Sequence, residues 1–129
     1  MYADYEYYIN AYLLGKKFIV PEDVYAYWEK QAEKIINQYT FNRLVRHPEL
    51  ADENVKDCAC ELVELLYQAD KYTQQASEQG GFLTSYSNDG ESGTFDLSQS
   101  VYTEANRKKR TLEIIRRNLM NTGLLYRGL

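Results

Sequence analysis

The residues that could perform chemistry in this chain are few, and their spacing does not build a site. His47 is the only histidine, so it has no second imidazole with which to form a metal site or a catalytic relay. Cys58 and Cys60 are two positions apart in a segment with helical periodicity, and side chains at that spacing point in different directions. Glu61 and Glu64 lie one helical turn apart, but carboxylate metal sites in helical proteins draw further ligands from facing helices. We therefore expect no enzyme, no metal site and no cofactor.

Charge is distributed unevenly along the chain. Residues 1–104 hold eight Lys or Arg against eighteen Asp or Glu, whereas residues 105–129 hold seven Lys or Arg against one Glu. The net charge of −4 therefore combines an acidic body with a basic C-terminal segment. That segment is either a solvated helix face, or a surface that meets nucleic-acid phosphates or an acidic neighbouring subunit. The acidic balance overall argues against a dedicated DNA-binding protein.

Four segments carry the three- and four-residue apolar spacing of helices. We predict a short helix from Asp4 to Tyr12, a second helix from Pro21 to about Thr40, the longest helix over about 53–78, and a last helix over about 99–121. Gly15 and Gly123 are expected terminators. At 129 residues one domain is the default, so the predicted fold class is all-α: a compact bundle of about three long helices plus a short N-terminal helix.

The segment over 80–98, between the two longest predicted helices, is rich in glycine and serine. Asp89-Gly90 resembles a hairpin turn, although its flanking arms are polar. The segment is therefore either a protruding loop or hairpin or a plain flexible connector. A stretch of this length in a compact domain is usually functional or disordered.

Tyrosine is the most conspicuous residue type, with thirteen copies. Tyr5, Tyr7, Tyr8 and Tyr12 would fall on several faces of the first helix, more than we expect one domain to bury. Tyrosine is favoured at interfaces because it buries area and keeps a polar hydroxyl. The surplus favours subunit contacts, with core and boundary packing as the alternative.

Short motifs follow one another in an informative order. The tyrosine-rich start leads through Gly15 and Pro21 to a helix that ends in Thr40-Phe41-Asn42-Arg43-Leu44. Val55-Lys56 and Ala59-Cys60-Glu61-Leu62 come next, followed by the Ser/Gly-rich stretch over 85–93. The chain closes with Leu119-Met120-Asn121-Thr122-Gly123-Leu124-Leu125-Tyr126-Arg127-Gly128.

This order resembles the head–tail connector family, or head-completion adaptors, of long-tailed bacteriophages and prophages. The chain's Thr40 to Leu44 is similar to the family's Thr-x-x-Arg-hydrophobic helix ending. Its last residues are similar to the family's Leu-x-x-Thr-Gly-Leu-Leu-Tyr-Arg-Gly signature, which is the most specific of the matches. Tyr2-Ala3-Asp4 departs from the family's Thr-capped lead-in, which leaves the first helix boundary open.

The resemblance implies a structural virion protein of the head–tail junction, assembled in the cytoplasm of a bacterial host and outside any membrane. Such subunits form a ring on the portal protein, twelvefold by resemblance, which extends the channel for packaged DNA and offers a platform to a tail-side connector protein. The candidate subunit or portal interface comprises Arg107, Lys108, Arg110, Arg116, Arg117, Leu124, Leu125, Tyr126 and Arg127. The candidate channel-side loop comprises Ser85, Tyr86, Asn88, Asp89, Gly90 and Ser92. The tail after Gly123 either packs on its own domain or docks onto a partner.

Two other classes of function remain open at this point. A small helical nucleic-acid-binding or regulatory protein that used Arg107 to Arg117 would show salt-sensitive DNA affinity as an isolated monomer. An enzyme or metal protein built on helix carboxylates would carry bound metal after purification. Neither class accounts for the C-terminal motif.

Overall fold

The structure, a computed structural model, describes the backbone of residues 1–78 and 104–125 and the side chains of residues 1–74 and 106–125. These residues are mostly helical, and no strand occurs among them. The helices are, in chain order, α1 (Tyr5–Tyr7, continued by a π-helical turn, Tyr8–Tyr12), α2 (Glu22–Tyr39), α3 (Arg43–Arg46), α4 (Glu53–Glu78) and α5 (Glu104–Leu119), with a 3₁₀ turn at Pro48–Leu50. The predicted helical class is therefore confirmed. The predicted excursion over 80–98 lies outside the described residues.

Helix α1 begins where the sequence predicts and then changes its hydrogen-bond pattern. The Asp4 carboxylate accepts a hydrogen bond from the Tyr7 N–H at 2.8 Å, the usual N-cap contact. From Tyr8 to Tyr12 the backbone widens into the π-helical turn, which the periodicity does not predict. Gly15, with φ of +90°, adopts the left-handed conformation without a side-chain clash and ends the segment.

Helix α2 follows Pro21, whose extended backbone stands at the N-cap. The acidic pair Glu22–Asp23 occupies the first turn, where negative charge faces the positive end of the helix dipole. The buried face consists of Tyr25, Glu29, Ala32 and Ile36. This spacing of four, three and four residues is that of one helical stripe. Glu29 is the only charged residue on it.

Helix α4 is the central element, packed against both α2 and α5. Asp52 accepts a hydrogen bond from the Val55 N–H at 3.2 Å and caps the helix. The helix bounds, Glu53–Glu78, agree with the predicted range of about 53–78. Its buried side chains include Val55, Cys58, Ala59, Cys60, Leu62 and Val63, which lie on most sides of the cylinder, as expected for a core helix. Burial raises the pKa of both Cys thiols to about 12, so Cys58 and Cys60 act as small apolar side chains.

Helix α5 ends at Leu119, two residues before the predicted end. Ile114, Ile115 and Leu119 face the core and are buried. The chain then turns, and Gly123, with φ of +80°, lets the backbone reverse. The predicted start of this helix, over 99–103, lies outside the described residues.

Candidate subunit interface

The N-terminal tyrosines form a network that binds α1 to the rest of the protein. The Tyr8 hydroxyl accepts hydrogen bonds from the Ile19 and Val20 N–H groups at 3.1 and 3.2 Å and donates to Glu64 Oε2 at 2.9 Å. Burial raises the Tyr8 pKa to about 12. Among the described tyrosines only Tyr27 is mostly exposed, at 60%. The structure thus differs from the expected surplus of aromatic surface on α1, because the phenol hydroxyls find partners on neighbouring elements.

Glu29 holds the first residues of the chain against α2. Its Oε2 accepts hydrogen bonds from the Tyr2 N–H at 2.9 Å and the Ala3 N–H at 3.2 Å, and the Tyr25 hydroxyl donates to the Ala3 carbonyl at 2.8 Å. The Glu29 side chain is almost fully buried. Burial, together with nearby Glu33, raises the Glu29 pKa to about 8, since both disfavour the charged carboxylate.

An acidic hollow opens beside the N-terminus and α1, with a volume of about 580 Å³. Its lining residues are Met1, Tyr2, Asp4, Glu6, Tyr7, Asn10 and Lys56. Asp57 accepts a hydrogen bond from the Tyr7 hydroxyl at 2.8 Å, and Glu53 lies near enough to contribute to the raised Tyr7 pKa after burial and Asp57. We call Asp4, Glu6, Glu53 and Asp57, with Tyr2 and Tyr7, the acidic face.

Two basic residues of α5 pair with an acidic residue of α4. Arg110 lies 3.6 Å from Glu61 Oε2, Arg117 also pairs with that oxygen, and the Asn118 amide donates to Glu61 Oε1 at 3.1 Å. The Glu61 side chain is only 11% exposed. Arg110 and Arg117 are thereby committed to a contact within the chain that joins α5 to α4. Arg116 is exposed.

A second hollow lies between α2 and α5, with a volume of about 510 Å³. Its lining residues are Tyr27, Trp28, Gln31, Lys34, Ile35, Gln38, Tyr39, Leu66, Arg107, Lys108 and Thr111. Among the described lining residues, Lys34, Arg107 and Lys108 are the charged ones, and none is acidic. The Tyr27 and Trp28 rings meet edge to face with centroids 4.8 Å apart. We call this hollow the basic groove.

The C-terminal tail packs on its own domain as far as the structure describes it. The Arg43 guanidinium donates to the Gly123 carbonyl at 3.0 Å and to the Leu124 carbonyl at 3.2 Å. Leu124 is 4% exposed and belongs to the core, while Leu125 is half-buried against it. Of the two open possibilities for the tail, the structure shows self-packing at these two leucines.

The remaining candidate residues are not placed by the structure. Tyr126 and Arg127 of the predicted interface lie outside the described residues. So do all the predicted channel-side residues, Ser85, Tyr86, Asn88, Asp89, Gly90 and Ser92. Their proposed roles stay predictions.

Sequence reasoning misses three residues that organise these surfaces. Glu29 lies on an apolar helix stripe, and that position is the available signal. Arg43 belongs to a motif noted in the sequence, but the neighbouring residues do not indicate that it binds carbonyl groups some 80 residues away. Lys34 joins Arg107 and Lys108 only through the packing of α2 and α5 on α4.

Within residues 1–78 and 104–125 the structure shows no group of three or more His, Cys, Asp or Glu placed to hold a metal ion. His47 is exposed and lies 3.3 Å from the Glu49 carboxylate. In the same part of the chain no helix is long and apolar enough to cross a membrane.

Comparison with known proteins gives no relative from which to transfer a role. No protein-family model matches the chain, and neither the curated proteins nor the solved structures contain a significant match.

Proposed function

We propose that this chain is a ring-forming adaptor of a phage head–tail junction, which docks on the portal, extends the DNA channel and connects head to tail. The observation that carries the proposal is that two of its family-like motifs meet in space. Arg43 of the Thr40 to Leu44 motif donates to the Gly123 and Leu124 carbonyls of the C-terminal motif. The two motifs are some 80 residues apart in the chain, and their contact gives a structural reason for both to occur in the same sequence.

The surroundings of this contact support the same interpretation. The Thr40 side chain is buried and donates to the Ile36 carbonyl at 2.8 Å, and Leu44 is 1% exposed. On the other side, the Thr122 hydroxyl donates to the Leu119 carbonyl and accepts from the Leu124 N–H at 3.1 Å. The polar residues of both motifs therefore make hydrogen bonds, and their apolar residues are buried, where the chain leaves α2 and α5.

The proposed architecture is a compact bundle in which α2, α4 and α5 form the body and the segment over 80–98 protrudes toward the channel. The proposed location is the head–tail junction of a virion, assembled in the host cytoplasm. The proposed partners are further copies of the chain, the portal protein, a tail-side connector protein and the packaged DNA that passes through the channel.

The nucleic-acid alternative loses part of its basis on α5. Arg110 and Arg117 pair with Glu61, so they are less available for phosphates than the sequence indicates. Arg116 remains exposed, and Arg107 and Lys108 line the basic groove. The connector proposal is supported instead by the contact of Arg43 with Gly123 and Leu124 and by the acidic body of the chain.

The test is size-exclusion chromatography with light scattering, on the chain alone and mixed with the portal protein encoded nearby. We expect co-elution with the portal, with or without self-assembly of the free chain. A chain that ignores the portal and instead retards a DNA oligonucleotide at low salt contradicts the proposal and supports the alternative.

A further inference from the structure

The basic groove is unusual for its charge and its lining. The chain carries a net charge of −4, yet the charged residues that line the groove in the described part of the chain, Lys34, Arg107 and Lys108, are all basic. Tyr27, which is 60% exposed, and Trp28 give the groove an aromatic wall. A groove lined by aromatic and basic side chains fits a partner that presents acidic side chains together with aromatic or apolar ones.

The acidic face has this complementary composition. Asp4 and Glu6 are exposed, and they line the same hollow as the half-buried Tyr2 and Tyr7. Met1, which is 66% exposed, adds an apolar side chain beside them, and its ammonium group lies 3.7 Å from the Glu33 carboxylate. One Lys, Lys56, lines the same hollow, and its ammonium stacks over the Tyr7 ring at 5.4 Å from the centroid.

The two surfaces lie on opposite sides of the central helix. On α4, Asp57 accepts a hydrogen bond from the Tyr7 hydroxyl of the acidic face, whereas Leu66 lines the basic groove. These residues are nine positions apart, which at 100° per residue is about half a turn around the helix axis. A single molecule therefore cannot bring its own acidic face to its own groove.

We infer that the basic groove of one copy receives the acidic face of the next copy. The contact is heterologous, since it joins two different patches, and repetition of such a contact produces a closed ring or an open helix. This inference rests on the proposed function, because the portal would supply the symmetry that closes the ring. It assigns the two sides of the ring contact to residues of α2 and α5 on one copy and of α1 and α4 on its neighbour.

Two other occupants of the groove are outcomes of the test. The chain's own residues 79–103 carry Asp89, Glu91 and Asp96 and no Lys or Arg, so they share the required charge. Nucleic acid would also suit a cationic groove with aromatic side chains. The second copy is favoured because its acidic face holds acidic side chains and the Tyr2 and Tyr7 rings together on one surface.

The experiment uses charge reversal on each surface, followed by sedimentation velocity of the full chain over a range of concentrations. Lys34→Glu alters the groove and Glu6→Lys alters the acidic face; both side chains are exposed. We expect each single variant to weaken self-association about tenfold or more, because like charges then face each other. The double variant restores association, since the two reversed side chains again carry opposite charges across the contact. Lys16→Glu, the same charge change on an exposed loop residue, leaves association unchanged.

Mixing the two single variants separates a heterologous contact from a symmetric one. Each variant supplies the surface that complements the other, so the mixture assembles into species larger than dimers. A mixture that stops at dimers contradicts the head-to-tail arrangement. Thermal melts establish that every variant is folded.

Three further results would overturn the inference. In the first, the wild-type chain would remain monomeric at millimolar concentration, and portal binding alone would then decide the connector proposal. In the second, Lys34→Glu would lower the melting temperature and leave association unchanged, as expected if residues 79–103 fill the groove. In the third, Lys34→Glu would abolish retention of a duplex DNA oligonucleotide and leave association unchanged, as expected for a nucleic-acid groove.

Discussion

At the scale of single residues, two ionisable side chains bind backbone groups outside the long helices. Glu29 receives two N–H groups of the N-terminal segment, and Arg43 binds two carbonyls of the C-terminal turn. Arg43 satisfies backbone carbonyls with a charged group, and such charge-assisted hydrogen bonds are stronger than neutral ones. The Glu29 carboxyl accepts its two N–H groups with a pKa raised to about 8, so it is mostly protonated below that pH. The two side chains hold the segments that flank the helical body.

Glu29 makes stability depend on pH. Its pKa is raised to about 8 in the folded protein, against about 4.3 in an unfolded chain. Between these values the folded state keeps a proton that the unfolded state has lost, so stability falls as pH rises through this window, by at most about 1.4 kcal/mol per pH unit. We expect Glu29→Gln to flatten the dependence of the unfolding free energy on pH between about 5 and 8. Urea denaturation at several pH values checks this, with Glu22→Gln as the exposed control on the same helix; equal slopes for Glu29→Gln and wild type would contradict it.

Arg43→Ala tests the link between the two motifs. It removes two hydrogen bonds from a charged donor, so we expect a loss of about 1.5–3 kcal/mol in unfolding free energy. Arg46→Ala, on the same short helix but exposed, should cost less than about 0.5 kcal/mol. The measurement is urea denaturation followed by circular dichroism. Equal losses for the two variants would show that the tail contact contributes nothing particular.

At the scale of elements, the sequence predicts α2 and α4 well because their signals are local. Pro21 with its acidic first turn, and Asp52 before an apolar stripe, are start signals that need no tertiary context. Between the predicted helices that end at about Thr40 and begin at about 53, the sequence does not predict the short helix α3. Phe41 and Asn42, both with φ of +57°, separate α3 from α2, and neither is the Gly that usually marks such a conformation. The π-helical turn at Tyr8–Tyr12 likewise leaves no mark on the periodicity.

The candidate surfaces are less predictable than the helices. The sequence identifies Arg107 and Lys108 as basic residues of the last helix, but it does not separate them from Arg110 and Arg117, which pair with Glu61 on α4. That division depends on which sides of α4 and α5 meet, and helix packing leaves no local signature in a single sequence. Leu124 is similarly a candidate for docking by sequence, and only the packed structure shows it in the core.

The Glu61 cluster joins α4 to α5 and should depend on salt. Glu61→Gln keeps the shape of the side chain but removes the charge that Arg110 and Arg117 share. We expect it to lower the unfolding free energy by about 1 kcal/mol at low ionic strength, a modest value because both arginines are partly exposed. The loss should shrink in molar sodium chloride, where exposed charges are screened.

The matched control for this cluster is Glu113→Gln. Glu113 also pairs with Arg110, at 3.4 Å, but its side chain is 55% exposed. Its replacement should change the unfolding free energy by less than about 0.5 kcal/mol. Equal, salt-independent effects of the two substitutions would mean that the cluster does not fasten α5 to α4.

At the scale of the whole molecule, the chain has two surfaces of opposite charge on opposite sides of α4. Glu29 holds the N-terminal segment, Arg43 holds the turn at Gly123 and Leu124, and the central helix is buried on most sides. A subunit with two different complementary surfaces is what head-to-tail assembly requires. These features together support the proposal of an assembly role.

The most direct test of the connector proposal is the mass of the portal ring before and after addition of this chain, measured by native mass spectrometry. Each copy adds 15.1 kDa. We expect a closed set of added copies equal in number to the portal subunits, with few intermediate occupancies, because neighbouring copies stabilise one another. A portal ring whose mass stays unchanged in an excess of the folded chain would contradict the proposal.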